Sequence, residues 1–173
     1  MLTLYNVISS DGFIATKDGS EDFIPDEVWN DFLDLCTKYD ALIFGKNAYA
    51  SIQSFGKKLV EPFEDLSIPK IIVTRDKNFK PKTGYIVLSS LKEVAVFRPN
   101  MLLSSGPKLN TAFLKEELID GVILNKLPIA IGEGIPQFEK GVHPQLTHLP
   151  ELDTEKGNDR KLVFYKVVYF LIR

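Results

Sequence analysis

Three short stretches of this chain carry residues suited to binding phosphate: Gly45-Lys46-Asn47, Thr74-Arg75 and Ser104-Ser105-Gly106-Pro107. Each follows an apolar run, namely Ala41-Leu42-Ile43-Phe44, Ile71-Ile72-Val73 and Met101-Leu102-Leu103. The first and third lead directly into helical patterns. A helix start exposes about four unpaired N–H groups and a partial positive charge. A small residue ahead of it lets an anion come close. Lys46 puts a cation at such a start. Arg75 offers a guanidinium that grips phosphate in a fork, with the Thr74 hydroxyl beside it. A dinucleotide with an extra 2′-phosphate needs this set: a pyrophosphate cradle and a separate cationic clamp. Singly, each stretch also reads as a plain cap, a turn or a helix start. What points to a ligand is that all three fall at strand ends, because open α/β sheets bind ligands beyond the carboxyl ends of their parallel strands.

The elements that must position these residues are legible along the chain. Leu2 to Ile8 alternates loosely and predicts a strand. Asp11-Gly12 marks a turn, and the loop continues through Lys17-Asp18-Gly19-Ser20. Pro25 opens a helix with Asp26 and Glu27 in its first turn, where negative charge is favourable. Val28, Trp29, Phe32, Leu33, Leu35 and Cys36 then recur at helical spacing, with Trp29 in the core or at a pocket rim. Residues 41–44, 69–74, 85–88 and 101–103 predict strands, and the continuous apolar runs among them are of the buried parallel type. Helices are expected over 46–52, over 91–97 behind the caps Ser89-Ser90, and from Pro107. Residues 119–130 predict a long apolar strand interrupted by Pro128, which suits an edge or a bulge. Residues 145–152 and 162–172 predict a final strand pair, joined through a polar connection with Gly157-Asn158. Strands alternating with short helices predict one α/β domain over residues 1–173: a mostly parallel sheet flanked by helices, with an antiparallel C-terminal hairpin. The apolar strands at 119–130 and 163–172 are candidates for pairing across a dimer.

Composition narrows the function classes. With 173 residues, 45% hydrophobic, the chain is long enough to bury a core. The formal net charge of -2 and the lack of a basic stripe argue against nucleic acid. No apolar run is long enough to span a bilayer and no leader pattern opens the chain, so a cytoplasmic protein is expected. One cysteine, Cys36, excludes an internal disulfide and reads as a buried small hydrophobe. His143 and His148 read as surface loop residues, and no metal site is expected.

The motifs, in their order, resemble the dihydrofolate-reductase-like superfamily, and within it the reductase domain of bifunctional riboflavin-biosynthesis deaminase–reductases. Ser9 to Ala15 resembles the early S-x-D-G-x-I-A loop. Phe44-Gly45-Lys46-Asn47-Ala48-Tyr49 resembles the G-[RK]-x-T-[YW] turn, and Val73-Thr74-Arg75 the strand ending in [ST]-R. Gly106-Pro107-Lys108-Leu109 with Leu118-Ile119-Asp120 resembles the G-G-P-x-L…L-[VI]-D-E segment. Pro128 to Gly134 resembles the P-x-x-x-G-x-G stretch. The resemblance implies a three-layer fold, NADPH, hydride transfer and usually a homodimer. It places Lys46 and Arg75, helped by Thr74, on the 2′-phosphate. Gly45 and Asn47 accompany them at the turn, and Ser104, Ser105, Gly106 and Pro107 line the pyrophosphate. Asp11, Ile14 and Ala15 belong to the loop bordering the nicotinamide. It also implies a strained, sometimes cis, peptide at the glycine pair.

The expected activity is an NADPH-dependent reductase of a small pyrimidine- or pterin-like heterocycle, similar to a 5-amino-6-(5-phosphoribosylamino)uracil reductase. The candidate proton donors are Asp11 on the loop and Asp26 and Glu27 at the helix start. The chain departs from the family pattern at four points: Ala48 replaces a threonine, Ser104 an acid, Ser105 the first glycine, and Gly121 a glutamate. Ala48 removes a hydroxyl, and Ser105 adds a side chain where the pyrophosphate approaches. These departures carry the alternative reading, a non-catalytic ligand-binding or scaffold domain that has lost tight cofactor binding.

Overall fold

The computed structural model describes residues 1–96 and 100–169. In chain order the elements are β1 (Leu2–Ile8), β2 (Phe13–Thr16), α1 (Asp26–Cys36), β3 (Ala41–Gly45), α2 (Lys46–Ser54), α3 (Lys57–Glu64), β4 (Lys70–Val73), β5 (Tyr85–Leu88) and α4 (Leu91–Val96). There follow β6 (Met101–Leu103), α5 (Pro107–Lys115), β7 (Gly121–Lys126), β8 (Gly134–Pro136), β9 (Leu146–His148), a short 3-10 turn (Pro150–Leu152), β10 (Thr154–Glu155) and β11 (Lys161–Val167). They gather into two compact units, one of Met1 with Pro25–Ser105 and one of Leu2–Ile24 with Gly106–Arg173.

The first unit is built on a fully parallel sheet in the order β6-β3-β4-β5. Its three inner strands carry short apolar runs covered on both faces: Leu42, Ile43, Ile71, Ile72, Leu102 and Leu103 are wholly buried, while the edge strand β5 is partly open, with Val87 exposed. Helix α1 buries Val28, Phe32, Leu35 and Cys36, the stripe expected from their spacing. Trp29 is half-buried beside this stripe. Its ring packs on Phe32, Phe55 and Phe63, with centroids 5.2–5.7 Å away, and its Nε1 donates to the Leu59 carbonyl at 2.9 Å. Helix α3, which no periodicity announced, buries Val60 and Phe63 despite Pro62 within it. The buried Lys70 secures its end, with Nζ donating to the carbonyls of Glu64 and Leu66 at 3.0 and 2.8 Å. Helix α4 starts in a reciprocal cap: the Glu93 N–H donates to Ser90 Oγ, and the Glu93 carboxylate accepts from the N–H groups of Ser89 and Ser90. Phe97, expected to end this helix, lies outside the described residues.

The second unit carries a mixed sheet. β1 and β7 run parallel, β11 lies antiparallel on the far side of β7, and β10 and β9 pair antiparallel with β11. A separate antiparallel pair joins β2 and β8. β7 stops at Lys126 and is flanked on both sides, so it is interior; Pro128 lies past its end, where no ladder N–H is required. The strands foreseen as partners across a dimer, β7 and β11, pair with each other inside one chain. The strand foreseen over 145–152 is cut short: β9 ends at His148, the 3-10 turn takes Pro150–Leu152, and β10 follows in what was read as the polar connection. Asp153 stabilises the break, accepting the Phe164 N–H at 3.1 Å and facing His148 Nε2 at 2.9 Å. His148 therefore sits in a strand and not a loop, while its ring stays exposed. The hairpin connection is as foreseen, with Gly157, Asn158 and Asp159 all left-handed (φ 72, 50 and 56°). The part of the last predicted strand over 170–172 lies outside the described residues.

Candidate functional site

In the first unit the parallel register brings the carboxyl ends of β3, β4 and β6 level: Gly45 lies beside Val73, and Ile43 beside Leu103. The residues following these ends are Lys46, Thr74-Arg75 and Ser104-Ser105. Gly45 caps α2 in an extended conformation (φ -89°, ψ 169°) with no side-chain cap bond, so the first N–H groups of α2 keep their anion-binding capacity. The Ser105 side chain is tucked under this turn. It is 8% exposed, and its Oγ accepts the Gly45 N–H at 3.2 Å. Ser105 thus braces the β3–α2 turn with its hydroxyl, whereas the sequence had suggested a side chain standing in the pyrophosphate approach.

The cations are not equivalent. Lys46 Nζ pairs with Asp76 Oδ2 at 2.8 Å and lies 6.0 Å from the Phe79 ring centroid. Lys46 foremost, and then the Asn78 N–H, hold the Asp76 carboxyl below its usual range. The Thr74 hydroxyl accepts the Asp76 N–H at 3.2 Å, which shapes the turn. Arg75 is exposed, and its guanidinium pairs with none of the described residues. Asn47 is exposed in the first turn of α2, and Ala48 and Ser104 are half-buried. Asp76 was visible in the sequence only as part of a turn; its hold on Lys46, 30 positions away, was not.

Helix α5 opens at Gly106 (φ -86°, ψ 177°) with Pro107 in its first turn and no side-chain cap bond. A Cβ built on Gly106 meets no atom within 4 Å, so the helix start is open to an approaching group. Among the described residues every peptide bond is trans, the Ser105-Gly106 bond included, so the cis form that the resemblance implies for some members is not the one seen here. The junction reaches α5 through an ordinary extended cap.

In the second unit the first loop is held by Asp11. Its carboxylate accepts from Ser9 Oγ at 2.6 Å, from the Gly132 N–H at 2.7 Å and from the Ile131 N–H at 3.2 Å. The Ser9 hydroxyl first, and then the two backbone N–H groups, keep this carboxyl below the usual range. Ala15 is buried in the β2–β8 pair and Ile14 is half-buried. Gly134 has no room for a side chain, since a Cβ there would stand 2.3 Å from the Ala15 carbonyl oxygen. Asp26 and Glu27 are exposed in the first turn of α1, and Asp31, one turn beyond Glu27, is half-buried. Asp31 was missed as an acid candidate; its i+4 spacing from Glu27, beside Val28, Phe32 and Leu35, was the available signal. Among the described residues no three His, Cys, Asp or Glu side chains cluster as metal ligands, and no helix is long and apolar enough to cross a membrane.

No protein-family model matches the chain. It is 27% identical over 144 residues to the uncharacterized protein YwjB of Bacillus subtilis, covering 79% of this chain and 82% of that protein. Among solved structures it superposes on a Shewanella sp. PV-4 protein provisionally assigned to riboflavin biosynthesis, with TM-score 0.77, 21% identity and coverage of 97% and 99%. It also superposes on the Thermotoga maritima diaminohydroxyphosphoribosylaminopyrimidine deaminase/5-amino-6-(5-phosphoribosylamino)uracil reductase, with TM-score 0.70 and 16% identity, covering 97% of this chain and 56% of that one. A third is Enterococcus faecalis dihydrofolate reductase complexed with NADP(H), with TM-score 0.68, 12% identity and coverage of 96% of each chain. The chain has the dihydrofolate-reductase-like fold. Its solved neighbours include reductases of the riboflavin-biosynthesis type.

Proposed function

We propose that this protein is an NADPH-dependent reductase that transfers a hydride to a small heterocycle of the pyrimidine or pterin kind. The observation that carries the reading is the set of level strand ends in the first unit. There an open helix start at Gly45-Lys46-Asn47 accompanies an uncommitted guanidinium at Arg75. On this reading Lys46, Arg75 and Thr74 hold the 2′-phosphate, and the roles the resemblance implies for Gly45, Ser104, Ser105, Gly106 and Pro107 are contacts to the pyrophosphate. The residues fit the group: both helix starts lack a side-chain cap, and Gly106 leaves space where a Cβ would stand. NADPH supplies the hydride when bound; the chain supplies orientation and a proton. Ile14 and Ala15 border the nicotinamide. The proton comes from the acids of α1, among which Asp31 joins Asp26 and Glu27 as a candidate. The protein works in the cytoplasm as a homodimer.

A thermal-shift comparison tests this reading. NADPH at 100 times its Kd adds about 2.7 kcal/mol to the folded state. For a chain of this length that is a rise of roughly 5–11 °C in Tm. NADH, lacking the 2′-phosphate, gives a smaller rise at equal concentration. Equal shifts with NADH and NADPH would remove the clamp from the account.

A further inference from the structure

Asp11 links two stretches that lie 120 residues apart, the Ser9-Ser10-Asp11-Gly12 loop and residues 129–132. Its two carboxylate oxygens are aimed at donors. Oδ1 accepts the Ser9 hydroxyl at 2.6 Å and the Ile131 N–H at 3.3 Å, and Oδ2 accepts the N–H groups of Ile131 and Gly132 at 3.2 and 2.7 Å. Three donors meet this carboxylate, the Ser9 hydroxyl and the N–H groups of Ile131 and Gly132, the Ile131 N–H being shared between the two oxygens. Bonds from these donors favour the ionised carboxylate over its protonated form. Backbone bonds reinforce the link: the Ser10 N–H donates to the Ile129 carbonyl at 2.8 Å, and the Leu127 N–H to that of Ile8 at 2.9 Å. Ser9 is itself fixed, being 1% exposed, with its N–H donating to the Phe13 carbonyl and its Oγ accepting the Phe13 N–H. Gly12 and Gly132 take the left-handed turns that let the two loops meet (φ 92 and 79°). The nearby Lys17–Glu133 bridge is highly exposed and adds little.

We propose that Asp11 is a positioning residue that locks the first loop and residues 129–132 into one rigid rim, and that it is not the source of the proton. The role in reduction rests on the reductase reading; the lock itself does not. A rim fixed in this way presents Ile14 and Ala15 at constant spacing to the flat ring they border. Loosening it weakens cofactor binding and leaves the proton-transfer step itself intact.

Amide hydrogen exchange of the full chain, resolved by NMR, tests the lock directly. In Asp11→Ala the Ile131 and Gly132 amides exchange about tenfold faster or more, because each loses a charge-assisted bond. Ile71 and Ile72, in the parallel sheet, keep their rates. Asp11→Asn retains one acceptor oxygen and falls between, which also covers a failure of the alanine variant to fold. In NADPH turnover Asp11→Asn raises KM for NADPH and leaves the pH profile of kcat unchanged. Unchanged exchange at Ile131 and Gly132 in both variants overturns the lock. Native exchange combined with a lost kcat limb overturns the positioning role in favour of a proton donor. Absence of NADPH binding by the wild type, with exchange still dependent on Asp11, removes the reductase reading and leaves the lock standing.

Discussion

Ser105 separates two physical accounts of the same turn. In the sequence it replaces a glycine, which suggests crowding of a bound phosphate. In the structure its hydroxyl accepts the Gly45 N–H at 3.2 Å from a position 8% exposed. Ser105→Ala keeps the Cβ and removes that acceptor. Leaving the half-buried Gly45 N–H without its partner costs about 1–2 kcal/mol. For a chain of 150–250 residues each kcal/mol lowers Tm by about 2–4 °C, so the expected loss is roughly 2–8 °C by calorimetry. Ser105→Gly loses the same bond and adds a backbone-entropy penalty of about 0.5–1 kcal/mol, so it should melt lower still. Neither change should improve NADPH affinity by more than about twofold, because the side chain already lies beneath the turn. A Tm within 1 °C of wild type for Ser105→Ala would refute the brace. A tenfold gain in NADPH affinity for Ser105→Gly would restore the crowding account.

Other predictions follow from the same geometry. Asp76→Asn releases Lys46 and removes a negative charge beside the clamp. NADPH affinity measured at low salt should rise roughly two- to fivefold, the range open to an exposed pair, and an unchanged or weaker affinity would show that Asp76 holds Lys46 in its useful position. Burial pushes the Cys36 thiol up to about 12 from 9.0. Its folded pKa is thus raised, so its contribution to stability is complete below about pH 9 and is lost as the pH rises towards 12. The difference in unfolding free energy between wild type and Cys36→Ala should therefore shrink across that window and stay flat below it. Native Cys36 should also resist thiol reagents at pH 8, and rapid labelling of the folded protein would contradict its burial.

Much of the fold was legible because the signals were local. Ile43, Ile71, Ile72, Leu102 and Leu103 lie in short unbroken apolar runs, as strands covered on both faces require. The spacing of Val28, Phe32, Leu35 and Cys36 announced α1. Helix α3 was hidden by Pro62 and by its charged face, and it is held by packing of Val60 and Phe63 and by Lys70, which arrives from the next strand. β2 and β8 span four and three residues, too few to show alternation. The candidate site was legible in its residue types and not in their commitments. Nothing local to Lys46 reveals that Asp76 holds it, and nothing local to Asp11 reveals the donors at Ile131 and Gly132. The direction of the Ser105 hydroxyl likewise depends on a strand 60 positions away. The pairing of β7 with β11 was misjudged for the same reason, since two apolar strands do not state whether their partner is in the same chain.

The central claim is that Arg75 and the β3–α2 turn form a clamp for a 2′-phosphate. Titration calorimetry with NADPH and NADH, on the wild type and on Arg75→Ala, tests it most directly. The account predicts NADPH binding that is tighter than NADH binding. It also predicts a loss of roughly ten- to a hundredfold in NADPH affinity for Arg75→Ala, the worth of about 1.5–3 kcal/mol for hydrogen bonds to a charged group. NADH affinity should be nearly unchanged in the variant. No heat of binding at millimolar NADPH, or equal affinity of wild type and Arg75→Ala, would contradict it.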